Sequence, residues 1–353
     1  MTTVLDSLNA GLHQAFAADE RVVLLGEDLL DPYGGAFKVT RGLSTAYPKR
    51  IFTSPISEAG LVGVAAGMAL RDLRPVVEIM FGDFLTLAAD QIINHAAKFR
   101  WMYNDQVRVP MLIRTPMGGR RGYGPTHSQT LEKYFLGVPG LQVLAPCALC
   151  SSGASTTSQT LPPGSPGELL YRAILTTEDP LLFIENKLLY LQLVQDESSL
   201  SEFEVNFHPE VDGLPLSPSF ALSLKDAPPP SLTLLAYGYM AELARQAIYQ
   251  LAYEQEIFCE LVIPTLLAPC SIQPVLDSLK RTGRLLVVEE GTLTLGWGAE
   301  ILARTSEALG PFLKACGRIA AREVPVPASG PLENQVLPGF ADIAAAAARL
   351  NRL

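Results

Sequence analysis

The chain lacks the features of membrane, secreted and nucleic-acid-binding proteins. No apolar run approaches the ~20 residues needed to cross a bilayer, and the first residues contain no basic or apolar segment typical of a signal peptide. A formal net charge of −9 argues against nucleic acid or an acidic membrane as partner. Five cysteines in 353 residues predict reduced thiols, because a disulfide framework is typical of short secreted chains. We therefore expect a cytoplasmic globular protein.

Common catalytic motifs are also missing. The sequence has no Gly-Lys-Ser/Thr phosphate loop and no Gly-x-Gly-x-x-Gly after a strand. Cys147 and Cys150 have Cys-x-x-Cys spacing, but the other cysteines provide no second pair for a zinc site. We interpret them as incidental thiols. Arg120 and Arg121 could contact an anion, although arginines in a glycine-rich loop usually lie in a solvated turn.

Short apolar runs that alternate with helical segments dominate the rest of the sequence. The predicted strands are residues 22–26, 75–80, 111–114, 141–145 and 181–185, followed by 234–237, 258–262 and 285–288. Such alternation predicts an α/β protein with a doubly wound parallel sheet and a smaller second α/β unit. We predict domains at 1–195 and 231–353, joined by a proline-containing linker at 196–230. A Ser/Thr/Pro/Gly-rich stretch at 147–167 predicts a mobile surface loop.

A lone carboxylate lies in the first turn of a nearly uncharged, apolar predicted helix. Ser57 is a plausible N-cap, Glu58 lies in the first turn, and glycines at 60, 63 and 67 would let another backbone approach closely. Glu58 could simply complement the helix dipole, a contribution of up to ~1 kcal/mol. It could instead be a partly buried acid that binds a ligand. The residues alone favour the dipole interpretation.

His127 follows a predicted strand, where parallel sheets place their sites. Only four histidines occur in the chain, and a loop histidine could carry a proton. Phe84, taken alone, would be interpreted as a core residue.

Several motifs, in order along most of the chain, resemble one family. The motifs are Leu25-Gly26-Glu27-Asp28, Pro55-Ile56-Ser57-Glu58, Asp90-Gln91-Ile92-Ile93-Asn94, His127-Ser128-Gln129, Phe183-Ile184-Glu185-Asn186-Lys187 and Val287-Val288-Glu289-Glu290-Gly291. Together they resemble the β subunit of the 2-oxo acid dehydrogenase E1 component, a thiamine-diphosphate enzyme of the transketolase superfamily. The resemblance implies a pyrimidine-binding domain followed by a transketolase C-terminal domain.

The resemblance also implies roles for individual residues. Glu58 matches the glutamate that hydrogen-bonds N1′ of the cofactor's pyrimidine ring, and its catalytic role is then favoured over the dipole interpretation. Phe84 matches the aromatic residue against that ring, and Met80 is expected among the cofactor-binding residues. His127 matches the histidine that assists acyl transfer to the lipoyl group.

A Gly-Asp-Gly motif for Mg²⁺ and diphosphate is absent, since Phe81-Gly82-Asp83-Phe84 does not match it. In the family this motif belongs to an α subunit, so the resemblance implies a cofactor shared across an α2β2 heterotetramer and a β chain that is inactive alone. It also implies an E2 lipoyl acyltransferase as partner. Relatives bind a monovalent cation, and K⁺ near Met111, Ala173 and Ile174 is possible here.

The expected function is oxidative decarboxylation of a 2-oxo acid, with pyruvate the foremost candidate. An acetoin-cleaving or specialised acyl-transfer enzyme is an alternative, because the stretch at 147–167 departs from the family pattern. A catalytically silent scaffold is a third hypothesis, against which the presence of Glu58, Phe84 and His127 together argues. The substrate cannot be inferred from this chain, since the pocket would be shared with the α subunit.

Overall fold

Two β-sheets, each packed between helices, form the protein. The computed structural model describes residues 2–153 and 161–353. The strands are β1 (Val22–Gly26), β2 (Ile51–Thr53), β3 (Arg74–Glu78), β4 (Leu112–Met117), β5 (Gln142–Leu144), β6 (Leu181–Asn186), β7 (Phe203–His208), β8 (Ser219–Leu224), β9 (Leu232–Ala236), β10 (Cys259–Pro264), β11 (Leu266–Ala268), β12 (Arg284–Thr292) and β13 (Ala315–Ala321). The helices are α1 (Val4–Ala18), α2 (Leu43–Ala46), α3 (Glu58–Ala69), α4 (Leu85–Asp90), α5 (Ala97–Met102), α6 (Pro166–Thr176), α7 (Tyr239–Gln255), α8 (Gln273–Thr282), α9 (Trp297–Leu309), α10 (Gly330–Val336) and α11 (Phe340–Asn351). Within the described residues, no helix has the length and apolarity needed to cross a membrane.

The first sheet has seven strands in the order β11-β5-β6-β4-β3-β1-β2. All neighbouring pairs are parallel except β11 with β5. The predicted doubly wound parallel sheet is therefore confirmed. Because parallel strands end at the same edge, the segments that follow β1, β2, β3, β4 and β6 lie side by side there.

Both faces of this sheet are covered, which explains the uninterrupted apolar strands. Alternate residues such as Leu24 and Val76 join one core cluster with α1 and α6. The intervening residues, such as Val23 and Val77, join a second cluster with α3 and Ile92. Ile92 lies in a π-helical segment, Gln91–Ala96, that joins α4 to α5. The helical stretch from α4 to α5 thus has an irregular centre.

Helices α1 and α6 pack with their backbones in close contact. A Cβ atom on Gly167 would lie 2.0 Å from the carbonyl oxygen of Ser7, and one on Gly11 would lie 2.3 Å from that of Gly167. The Gly167 amide donates a hydrogen bond to the Ser7 hydroxyl at 3.0 Å. Only glycine fits at this crossing, because the nearest atoms are backbone and cannot move aside.

We expect Gly167→Ala to destabilise the protein by about 1–3 kcal/mol, as overpacking in a close-packed interior does. Chemical denaturation of the full chain measures this. Gly137→Ala is the matched control, because a Cβ at exposed Gly137 would meet no atom within 4 Å. Equal denaturation midpoints for the two variants would contradict the expectation.

The second sheet has six strands in the order β13-β12-β9-β10-β8-β7. Strands β7 and β8 lie within residues 196–230, the stretch predicted as a linker, and β8 pairs antiparallel with β10. Phe220 and Leu222 of β8 are fully buried in the core of this sheet. This corrects the interpretation of 196–230 as a plain linker: the stretch has enough apolar residues to form an edge strand, β7, and the strand next to it, β8.

One strand crosses between the two units. β11 follows β10 in the second unit but pairs antiparallel with β5 of the first sheet, with Leu266 opposite Leu144. The Ala145 amide also donates to the carbonyl oxygen of Thr265 at 2.8 Å. The two units are therefore joined by backbone hydrogen bonds as well as by side-chain packing. Of the stretch predicted as a mobile loop, residues 154–160 lie outside the described residues.

Candidate active site

The predicted site residues lie after strands of the first sheet, at its carboxyl edge. Glu58 begins α3 soon after β2, Met80 and Phe84 follow β3, and His127 lies in the loop after β4. The parallel topology thus brings residues that are up to 69 positions apart in the sequence to one edge of the sheet.

Glu58 is buried at a point where the neighbouring chain is exposed. Its exposed fraction is 5%, whereas Ser57, Ala59 and Gly60 are exposed. Ser57 occupies the predicted N-cap position, but its side chain makes no capping hydrogen bond. Among the described residues, the Glu58 carboxylate has no hydrogen-bond partner. A largely buried acid that makes no hydrogen bond to its own chain fits a residue that binds a group supplied from outside the chain.

A second carboxylate lies beside Glu58. Glu27, at the end of β1, is buried and accepts a hydrogen bond from the Ser57 amide at 3.2 Å. Burial raises the pKa of the Glu27 carboxyl, and the nearby charge of Glu58 raises it further. Sequence reasoning assigned Glu27 no role, although it lies in one of the recognised motifs.

Three rings meet between β3 and the loop that follows β4. The His127 imidazole lies 4.8 Å from the ring of Phe81 and 5.2 Å from that of Phe84, centroid to centroid and nearly perpendicular to both. Tyr123 packs edge-on against Phe81 at 5.9 Å. Phe84 and His127 are thus in direct contact, and half-buried Met80 immediately precedes Phe81.

A buried lysine supports this aromatic group. Lys187, just after β6, is 1% exposed, and its ammonium donates to the carbonyl oxygen of His127 at 2.5 Å. The same ammonium lies 5.2 Å from the ring centroid of Phe81 and 5.5 Å from that of Tyr123, within cation–π range. Burial lowers the pKa of Lys187 to about 8. The motif that contains Lys187 was recognised in the sequence. Its contact with His127 was not predicted, because the two residues are 60 positions apart.

Asp83 fixes the far end of the same loop. Its Oδ1 accepts hydrogen bonds from the Gln129 amide at 3.2 Å and the Gln129 side chain at 2.8 Å. Its Oδ2 is buried and has no partner within the described residues. Asp83 therefore acts here as an anchor for the segment that carries His127.

Glu58 lies apart from the aromatic group. No hydrogen bond or ion pair in the described part of the chain joins it to Phe84 or His127. Phe84 follows β3 and Glu58 follows β2, and β1 lies between these two strands. Strands β3 and β2 are therefore about 10 Å apart. Glu58 and the aromatic group thus follow different strands at the same edge of the sheet, and Glu58 follows the outermost strand, β2.

The expected cation-binding carbonyls have other partners. The Arg74 guanidinium donates to the carbonyl oxygens of Ile174 at 3.0 Å and Thr177 at 2.9 Å, and that of Met111 accepts from the Leu181 amide at 2.9 Å. A guanidinium in this position counts against a monovalent cation there. In the described residues, no group of three or more His, Cys, Asp or Glu side chains could hold a metal ion.

The Cys-x-x-Cys pair is buried. Cys147 and Cys150 are free thiols, and burial raises the pKa of each to about 12. Thiols of this kind are poor nucleophiles and poor metal ligands at neutral pH, because both roles need the thiolate. Their interpretation as incidental thiols is consistent with this environment.

Comparison with known proteins identifies the family. Residues 2–156 match the transketolase pyrimidine binding domain, and residues 224–343 match the transketolase C-terminal domain. The mitochondrial pyruvate dehydrogenase E1 component subunit beta-1 of Arabidopsis thaliana is 34% identical over an alignment that covers 98% of this chain and 88% of that protein. The chain belongs to the family of E1 β subunits of 2-oxo acid dehydrogenases.

Two further relatives show the breadth of this family and its fold. The β subunit of acetoin:2,6-dichlorophenolindophenol oxidoreductase of Cupriavidus necator is 32% identical over 97% of this chain and 95% of its own length. A solved structure described as a split gene transketolase, an inactive β4 tetramer, superposes with a TM-score of 0.70 at 19% identity, covering 100% of this chain and 99% of that one. The E1 β family and its transketolase-like fold, both predicted from sequence motifs, are therefore confirmed.

Proposed function

We propose that this E1 β subunit takes part in the thiamine-diphosphate-dependent oxidative decarboxylation of a 2-oxo acid, with pyruvate as the foremost substrate. The acyl group would pass to the lipoyl group of an E2 acyltransferase. The observation that carries the proposal is Glu58, a largely buried side chain after the outermost strand whose carboxylate makes no hydrogen bond within the described residues. Membership of the E1 β family supports the reaction type.

The residues present fit the pyrimidine half of the cofactor. When bound, thiamine diphosphate supplies the electron sink for cleavage of the bond between the carboxylate and the carbonyl carbon of a 2-oxo acid. Glu58 would accept or share a proton at the pyrimidine N1′, because its carboxylate makes no hydrogen bond within the described residues. Phe84, with Met80 beside it in the chain, would pack against the ring and exclude water.

His127 is suited to a different task from that of Glu58. Its ring contacts Phe81 and Phe84 through their edges and faces, and its Nδ1 lies 3.0 Å from the Thr126 hydroxyl. An imidazole can both donate and accept a proton. We assign it the proton transfer that accompanies delivery of the acyl group to the acceptor.

We further propose that an α subunit completes the site in an α2β2 heterotetramer and holds Mg²⁺ and the diphosphate. Two features support a partner beside Glu58: Ile56 is 80% exposed and Val64 of α3 is 55% exposed. Exposed apolar residues grouped beside a site are typical of interaction surfaces. Within the described residues, Asp83 belongs to no group of three or more acidic, histidine or cysteine side chains that could hold a metal ion, which fits Mg²⁺ held by another subunit.

An acetoin-cleaving enzyme is the second candidate. The relative from Cupriavidus necator is nearly as similar to this chain as the pyruvate dehydrogenase subunit is. A specialised acyl-transfer role shares the same site chemistry. The buried Glu58 counts against a silent scaffold, because an unpaired buried carboxylate has no structural use. The cytoplasmic location stays a prediction from sequence, and K⁺ binding remains an unsupported one.

Calorimetric titration with thiamine diphosphate and Mg²⁺ tests the shared site. We expect tight binding by the mixture of this chain with its α subunit, and none by either chain alone. Decarboxylation of pyruvate should appear in the same mixture, with a branched-chain 2-oxo acid and acetoin assayed in parallel to identify the substrate. Tight binding by the β chain alone would contradict the shared-site proposal.

A further inference from the structure

The loop that leads from β4 to His127 has a backbone that other parts of the protein must hold in place. We call residues 118–127 the His127 loop. Gly118, Arg120, Gly122 and Gly124 all have positive φ angles, of 94°, 64°, 68° and 77°. Glycine adopts such angles freely, but they are unfavourable for Arg120. A loop with this many glycines has many other conformations open to it, so its observed form needs partners.

The second unit supplies those partners through two buried carboxylates. Glu333 of α10 is 2% exposed; its Oε1 accepts the Arg120 amide at 2.6 Å and its Oε2 accepts the Gly122 amide at 3.3 Å. Glu290 of β12 is 3% exposed and accepts the Gly119 amide at 2.8 Å. Hydrogen bonds to a buried carboxylate are charge-assisted and stronger than those between neutral groups.

Contacts of α10 and the residues after it enclose the same stretch. The Arg120 guanidinium donates to the Asn334 side chain at 3.0 Å and to the carbonyl oxygen of Pro338 at 2.6 Å. A Cβ atom on Gly119 would lie 2.4 Å from a methyl carbon of Leu337. The backbone and side chain of the loop are therefore both engaged by the second unit, and the loop has little room to shift.

The end of the loop is held by the first unit. Lys187 donates to the carbonyl oxygen of His127, and Asp83 holds Gln129 two residues later. The second unit holds the backbone of the loop before His127, through the amides of residues 119, 120 and 122. Loss of the Glu333 carboxylate would leave the Arg120 and Gly122 amides without their acceptor, and the loop could then relax toward other conformations.

We propose that Glu333 is a positioning residue of the active site: its carboxylate, supplied by the C-terminal domain, fixes the His127 loop in the form that presents the imidazole, and Glu290 assists it. The inference rests on the role proposed above for His127 in acyl transfer. It gives the C-terminal domain a part in organising the reaction centre. A displacement of about 1 Å in a catalytic group can cost ~100-fold in rate.

The first test compares Glu333→Ala and Glu333→Gln in the reconstituted complex with its α subunit. We expect Glu333→Ala to lower kcat for acyl transfer to lipoamide about ten- to a hundredfold. Glu333→Gln should recover part of that loss, because its amide oxygen can still accept one of the two N–H groups. Affinity for thiamine diphosphate, which depends on Glu58, should change less than about twofold. Gln335→Ala, at an exposed position of α10, is the matched control and should resemble the wild type.

The second test does not depend on activity. The four histidines of the full chain give few imidazole signals in the NMR spectrum, and His127→Asn assigns the signal of His127. We expect Glu333→Ala to shift or broaden that signal and to leave those of His13, His95 and His208 in place. If Glu333→Ala does not fold, Glu333→Gln is compared with Gln335→Ala in the same way.

The kinetic test and the NMR test distinguish failure of the proposed function from failure of the positioning role of Glu333. A wild-type complex without decarboxylase activity would refute the proposed function, while the His127 signal would still decide whether Glu333 positions the loop. An unchanged His127 signal in both Glu333 variants would overturn the inference. Equal changes at all four histidines would also overturn it, because they would indicate a general structural role.

Discussion

Glu58→Gln is expected to lower kcat for decarboxylation by the reconstituted complex by about 10²–10⁴-fold, the usual contribution of a general acid or base. Gln keeps the size of the side chain but cannot exchange a proton with a bound ring nitrogen. The complex should still assemble, because the Glu58 carboxylate has no hydrogen-bond partner within the described residues. Steady-state kinetics with pyruvate measures the loss.

Stability provides an independent readout for the same variant. The thermal midpoint of the chain should be unchanged within error, because Glu58→Gln keeps the size of the side chain and removes no hydrogen bond seen within the described residues. Glu307→Gln on α9 is a control at an exposed glutamate and should alter neither property. Activity of Glu58→Gln within about threefold of the wild type would remove Glu58 from the catalytic machinery.

Arg114→Ala is expected to destabilise the protein by about 3–5 kcal/mol, the usual effect of breaking a buried ion pair from one side. Arg114 of β4 is 1% exposed and donates to Glu185 of β6 through Nε at 2.8 Å and Nη2 at 2.5 Å, and to Glu78 of β3 through Nη1. The Tyr190 hydroxyl also donates to Glu185, at 2.6 Å. Without Arg114, two buried carboxylates would face each other inside the first sheet. Urea denaturation of the full chain measures the change.

The loss should also depend on pH. Burial raises the pKa of the Glu78 carboxyl while Arg114 lowers it, so removing Arg114 raises it further. When the pKa of a carboxyl is higher in the folded than in the unfolded chain, the protein becomes less stable as the pH rises above the pKa of the unfolded chain, which is about 4.5 for Glu. Arg114→Ala should therefore be less destabilised at pH 5 than at pH 8.

Lys280→Ala provides the contrast, since it breaks an ion pair with Asp277 in which the side chains are 61% and 52% exposed. Surface pairs of this kind contribute about 0–1 kcal/mol. Similar denaturation midpoints for the two variants would contradict a structural role for the buried network.

The sequence predicted the first sheet well, because its central strands are buried on both faces and appear as unbroken apolar runs. It did not predict β7, whose buried and exposed positions alternate at the sheet edge, and the prolines near β8 suggested a linker. Contacts between residues far apart in the sequence are even harder to predict. Glu333 and Arg120 are 213 positions apart, and no local pattern indicates that the Glu333 carboxylate accepts a hydrogen bond from the Arg120 amide.

The candidate site was predicted in part. Motif resemblance identified Glu58, Phe84 and His127, while periodicity and capping alone favoured a dipole role for Glu58. What separates the two interpretations is the burial of Glu58 without a partner, a property of the folded chain. Phe81, Lys187 and Asp83 had no assigned role, because each acts through contacts with the His127 loop rather than through a motif of its own.

The crossing of β11 into the first sheet has a consequence for synthesis on the ribosome. β5 emerges about 120 residues before the strand that pairs with it, because Leu144 is opposite Leu266. At about 5–20 residues per second, its outer edge stays unpaired for roughly 6–24 seconds. An unpaired strand edge can add strands from other chains. Nascent copies on one messenger are therefore most prone to associate during this interval, when a chaperone that covers exposed edges would have the greatest effect.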